Sequence, residues 1–135
     1  MAEPMTLQII TPDAVVFEGQ STFFVGKAID GAFGILPNHA PMIIALDIAP
    51  LRIDQPDGTS RELAVFGGFC EIEHNKVIIV TPDCQDPESI DVERAQRAKE
   101  RAESRLANPT PDIDVERAEA ALQRALLRLH VTKQL

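Results

Sequence analysis

The six residues Ile-Asp-Val-Glu-Arg-Ala occur twice in this chain, at positions 90–95 and 113–118. Each copy heads a stretch with apolar residues at helical spacing, and each stretch carries arginines at one fixed offset from them. A guanidinium is planar, keeps its proton in proteins and can meet phosphate or carboxylate with two parallel hydrogen bonds. The chemistry these residues could do is therefore the holding of an anion. At about 100° per residue, Asp91, Ala95, Ala98, Ala102 and Leu106 share one helix face, and Arg94, Arg97, Arg101 and Arg105 fill a strip beside it. In the second stretch Ala118, Ala121, Leu122, Ala125 and Leu129 form the face, with Arg117, Arg124 and Arg128 in the adjoining strip. Small residues let two helices approach closely, so these faces are expected to meet.

If the two helices are antiparallel, a two-fold axis perpendicular to both relates them and leaves each strip on the side where it started. Equal offsets then put both strips on one edge. Each like-charge contact on an exposed helix costs roughly 0.2–0.5 kcal/mol, which a bridging anion would relieve. Three readings stay open on the residues alone. The arginines form a solvated face, with Glu93 and Arg97 paired; or they dock on the acidic first part of the chain; or they bind a specific anion.

The elements needed to position them follow from composition. All seven glycines lie at or before Gly68 and all six phenylalanines at or before Phe69, so strand gives way to helix beyond that point. Apolar pulses at residues 7–10, 15–17, 23–29, 42–46, 51–53, 63–66 and 77–80 read as short strands. A turn at Gln55-Pro56-Asp57-Gly58 divides two of them. Phe23 and Phe24 are adjacent, so one of them faces outward or into an interface. Asp86-Pro87-Glu88 supplies the start of a first helix that runs to about Ala107. After Asn108-Pro109-Thr110-Pro111, a second helix starts near Thr110 or Asp112 and reaches about Val131, making an antiparallel hairpin. The fold class is α+β in two domains: a β-sandwich or flattened barrel over residues 1–86, then an α-helical hairpin over residues 87–135.

Several function classes are disfavoured. The formal charge is −8, and residues 1–87 carry all of it, with 12 acidic and 4 basic side chains against 9 of each beyond. Nucleic acid needs a positive surface. No apolar run approaches the roughly 18 residues needed to cross a bilayer, and no signal peptide is evident, so a soluble chain that stays where it is made is expected. Cys70 and Cys84 read as free thiols. His39, His74 and His130 share no metal-ligand spacing with them, and no phosphate-cradling Gly-x-x-x-x-Gly-Lys is present, so neither a metal site nor catalysis is expected. His39, between prolines, reads as a structural or interface residue.

Gly31-Ala32-Phe33-Gly34-Ile35-Leu36-Pro37-Asn38-His39-Ala40-Pro41, then Phe66-Gly67-Gly68-Phe69, then a helical hairpin opened by Ile90-Asp91-Val92-Glu93-Arg94-Ala95, resemble the epsilon subunit of bacterial F-type ATP synthases along essentially the whole chain. The resemblance implies a non-catalytic central-stalk subunit at the cytoplasmic face of the membrane. Its ten-stranded sandwich would clamp the gamma subunit and touch the c ring, with Gly34, Pro37, His39 and Pro41 at the rotor interface. Its mobile helices would inhibit ATP hydrolysis when extended towards the alpha and beta subunits. ATP, with or without magnesium, would favour the folded state as a regulatory ligand. The resemblance assigns ATP contacts to Ile90, Asp91, Arg94, Ala95, Arg101, Arg124 and Arg128. Where tight-binding relatives carry a glutamate, this chain has Gln85. The alternative is a protein-interaction module whose basic hairpin binds an acidic partner without nucleotide.

Overall fold

The computed structural model describes residues 3–134, which divide into two compact units between Gln85 and Asp86. In the first unit the strands are β1 (Met5–Ile10), β2 (Val15–Ser21), β3 (Phe23–Ala28), β4 (Gly31–Ile35), β5 (Met42–Asp54), β6 (Ser60–Glu73), β7 (Lys76–Val80) and β8 (Cys84–Gln85). Their order is β2-β1-β7-β6-β5-β3-β4, with β8 also on β6, and all neighbours are antiparallel except β1 and β7. The end strands β2 and β4 do not pair with each other among the described residues, so the sheet is open and the flattened-barrel alternative gives way to the sandwich.

Eight strands are present among the described residues, against the ten implied by family resemblance. The difference lies in β5 and β6, which run side by side for nearly their whole length and change course together. Ladder pairing lapses between Leu46↔Gly68 and Ile48↔Phe66. Before the lapse β5 buries Ile44 and Leu46; after it, Ala49, Leu51 and Ile53. In β6 residues 63–66 are all buried before the paired glycines, and Cys70 and Ile72 are buried at alternate positions after them. In β5 the inward positions change from even to odd because the strand passes from one layer to the other with β6 beside it, and counted by halves the strands are ten. Gly67 and Gly68 permit the bend, with φ of +81° and +107°. The core between the layers is built from alternating residues such as Met5, Leu7 and Ile9 of β1, each no more than 1% exposed.

The turn at Gln55–Gly58 forms as expected. Gly58 (φ +87°) donates its N–H to the Gln55 carbonyl at 3.0 Å. Asp57 accepts from the Thr59 hydroxyl and amide, which holds its carboxyl below the ordinary value. Phe24 is fully buried, while its neighbour Phe23 lies across Gly34 with the Arg52 guanidinium 5.8 Å from its ring centroid. Gly34 lies opposite Val25 inside β4, a strand that none of the apolar pulses marks. A glycine suits that place because a β-carbon there would stand 2.9 Å from Phe23 Cζ.

In the second unit, α1 spans Val92–Ala107 and α2 spans Val115–Val131, and the two pack against each other. Both helices start later than the sequence suggests. Asp86 caps only a single 3₁₀ turn at Pro87–Ser89, and α1 begins after Asp91. Likewise α2 begins after Asp114, because Thr110 and Asp112 are joined by their own side-chain hydrogen bond within the connection.

Candidate functional site

Each copy of the hexapeptide places its aspartate in extended backbone immediately before a helix. Asp91 Oδ1 accepts from the Arg94 amide at 3.0 Å, and Asp114 Oδ1 from the Arg117 amide at 3.1 Å. Glu93 and Glu116 follow in the first turns, near the positive ends of the helix dipoles. The first task of the repeat is therefore to start two helices in the same way. The seam is as the spacing dictates: Ala95, Ala102, Ala118, Ala125 and Leu129 are all buried. Ala98, Leu106, Ala121 and Leu122 are half-buried beside them.

One arginine of α1 and two of α2 meet on one flank. A cleft of about 620 Å³ is lined by Arg105 from the end of α1 and by Arg117 and Arg124 from α2, together with Asp112, Ile113, Asp114, Ala118 and Ala121. This is the same-side placement that equal offsets require. Among the described residues no carboxylate lies within 4.0 Å of Arg94, Arg97, Arg101, Arg105, Arg117 or Arg124, so the pairing of Glu93 with Arg97 is not formed. The Thr110 hydroxyl bonded to Asp112 holds that carboxyl below its ordinary value.

The expected ATP contacts fall in two groups. Half-buried Ile90 ends the 3₁₀ turn, exposed Asp91 and Arg94 sit at the head of α1, and Ala95 is sealed in the seam. Exposed Arg101 is midway along α1, whereas Arg124 and Arg128 are half-buried on α2. Of the seven, Arg124 lines the cleft; the other six lie outside its lining. Arg105 and Arg117 do line it and were absent from that set of seven. The signal for them was the second hexapeptide, whose Ile113, Asp114, Arg117 and Ala118 all face the cleft.

In the first unit, Pro37, His39 and Pro41 occupy the loop at residues 36–41. Asn38, with φ +64°, is pinned to Asn75 of the β6–β7 turn by two hydrogen bonds, one from its amide N–H and one between the side chains. His39 Nδ1 lies 2.8 Å from the Ala40 carbonyl oxygen. Beside this loop, Leu36 and Met42 are exposed, as is Ile43 at 70%. An apolar row crosses the outer face of the same layer, where Ala45, Phe69, Val80 and Ile10 stand opposite one another on four neighbouring strands. Phe69 and Val80 are more than half exposed, and sequence periodicity gave no sign of this surface. Among the described residues no group of His, Cys, Asp and Glu could hold a metal, and no helix is long and apolar enough to cross a membrane.

A sandwich with an apolar outer row, followed by a capped helical pair with an arginine-lined cleft, is a class of fold that offers surfaces to partners. The family description "ATP synthase, Delta/Epsilon chain, beta-sandwich domain" matches residues 4–86, and "ATP synthase, Delta/Epsilon chain, long alpha-helix domain" matches residues 88–133. The chain belongs to this family, as an epsilon-type, non-catalytic subunit of ATP synthase. It is 49% identical over 111 residues to an ATP synthase epsilon chain of Carboxydothermus hydrogenoformans, covering 82% of each chain. It is 45% identical over 129 residues to that of Brevibacillus brevis, covering 96% of this chain and 98% of the relative. Its fold is similar to a chain in the Euglena gracilis mitochondrial ATP synthase OSCP/F1/c-ring structure, with a TM-score of 0.81 at 21% identity over 91% of this chain and 78% of that one. A chain of the Tetrahymena thermophila mitochondrial ATP synthase central stalk and c ring gives 0.61 at 16% identity, over 97% and 98%.

Proposed function

We propose that this chain is a rotor-stalk subunit at the cytoplasmic face of the membrane. Its sandwich binds the gamma subunit and c ring, and its hairpin restrains ATP hydrolysis when it extends towards the alpha and beta subunits. ATP is the regulatory ligand that favours the closed hairpin. The observation that supports this reading is that Arg105 of α1 shares one flank with Arg117 and Arg124 of α2, as equal offsets along the helices require. Half-buried Ile90 offers a small apolar seat for the base, Ala95 lets the two helices close beside it, Asp91 starts the helix, and Arg94, Arg101, Arg124 and Arg128 neutralise the phosphates. Because the phosphates engage both helices, ATP binds the closed hairpin better than an opened one, and that difference alone shifts the population. A 100-fold preference is worth about 2.7 kcal/mol. On the sandwich, the row through Phe69 and Val80 provides the docking face for the stalk, and the loop holding Pro37, His39 and Pro41 meets the c ring together with Gly34 of β4.

The test is thermal denaturation of the full chain with and without ATP. ATP raises the melting temperature, and Arg124→Ala combined with Arg128→Ala removes the rise. Equal stabilisation of both proteins would refute the assignment.

A further inference from the structure

The two hexapeptides sit at opposite ends of an antiparallel pair, and their local geometry is the same. Asp91 has φ −80° and ψ 101°; Asp114 has φ −82° and ψ 104°. At 1.5 Å per residue the 16 residues of α1 hold the two heads about 24 Å apart, too far for one phosphate chain to engage both. The family reading uses the first head. The cleft surrounds the second, through Ile113, Asp114, Arg117 and Ala118.

We propose that this cleft at the turn end of the hairpin is a second anion site, sharing Arg124 with the first, that takes the phosphate chain of a triphosphate. It does not rest on ATP binding at the first copy. Three guanidiniums face two carboxylates, so the lining carries a net positive charge, and the N-terminus of α2 adds roughly half a charge more. Both carboxylates are already engaged, Asp114 by the Arg117 amide and Asp112 by the Thr110 hydroxyl. Arg117 and Arg124 are seven residues apart on α2, about 10.5 Å, with Arg105 supplied by α1. A single phosphate or carboxylate cannot reach all three, whereas a chain of phosphates can. The volume of about 620 Å³ falls in the range of roughly 300–1,000 Å³ usual for small-molecule sites. An occupant would tie the end of α1 to the start of α2.

Calorimetry on the full chain at low salt, with ATP and with sodium tripolyphosphate, tests this. Both probes are expected to bind at the cleft. Arg105→Gln with Arg117→Gln weakens that event more than about tenfold, as expected for loss of charge-assisted bonds. Arg94→Gln with Arg101→Gln leaves it intact. In the wild type, NMR amide signals of Arg117, Ala118 and Ala121 shift with tripolyphosphate, and this readout stands even if a variant misfolds. Unchanged binding by the cleft variant, shifts confined to residues 90–101, or ATP binding at the cleft without tripolyphosphate binding would each overturn the proposal. If Arg94→Gln with Arg101→Gln abolishes all binding, the cleft site falls and the first-copy reading stands. If binding survives there and is lost only in the cleft variant, the first-copy reading falls and this one stands.

Discussion

Gly68 sits where no other residue fits. A β-carbon there would lie 2.1 Å from the Val80 carbonyl oxygen and 2.8 Å from Thr81 Cα, both backbone atoms. Gly58 has open space around it and needs glycine only for its positive φ. Gly68→Ala should therefore cost more than about 3 kcal/mol, and Gly58→Ala only about 1, in urea denaturation of the full chain. Cys70 offers a second test. Burial pushes its thiol from 9.0 to about 12, so the fold favours the neutral form. That contribution is complete below pH 9, where the unfolded thiol is also protonated, and is lost as pH climbs towards 12. The loss is on the order of 4 kcal/mol. Cys70→Ala should flatten this part of the stability profile. Residue-level inference worked for Phe23 and Phe24, since adjacent strand positions must point to opposite faces. It missed the Asn38–Asn75 pair, because nothing local links side chains 37 positions apart.

The helical seam rests on alanines at heptad spacing, with Ala95 and Ala102 on α1 and Ala118 and Ala125 on α2. Ala125 is 0% exposed, so Ala125→Leu should drive the helices apart and destabilise the hairpin by about 1–3 kcal/mol, read as a lower melting point of the 222 nm signal. Elements were legible where period and punctuation agreed. The seam follows from offsets counted along the chain, as does the placing of Arg105 with Arg117 and Arg124, and the antiparallel pairing follows from the short connection. Helix starts were misplaced because several candidate caps precede each helix, Asp86 and Asp91 before α1 and Thr110, Asp112 and Asp114 before α2, and only the geometry of Asp91 and Asp114 identifies the caps. Strand β4 was obscured because Gly31, Ala32 and Gly34 carry little apolar signal, and Gly34 is covered by Phe23 from the neighbouring strand. The even-to-odd switch in β5 was hidden for a related reason: a strand that changes layer breaks the alternation by which it would be found.

For the molecule as a whole, the two compact units predict separable roles. A chain ending at Gln85 should retain stalk binding while its assembled enzyme loses restraint on ATP hydrolysis, as measured by co-purification and by hydrolysis rate. Failure of the truncated chain to assemble would show that the helices contribute to docking. The distribution of charge and aromatics marked two domains. The exposed row through Phe69 did not emerge, because its members come from four strands that are neighbours only after folding. The parallel ladder of β1 on β7 carries a consequence for biosynthesis. Residues 6–10 find their partners at 76–80, so β1, once made, must wait for some seventy more residues before its inner edge is matched. Until then β1 and β2 can form no more than a hairpin with one bare side, and that interval is when a nascent chain of this protein most needs a chaperone.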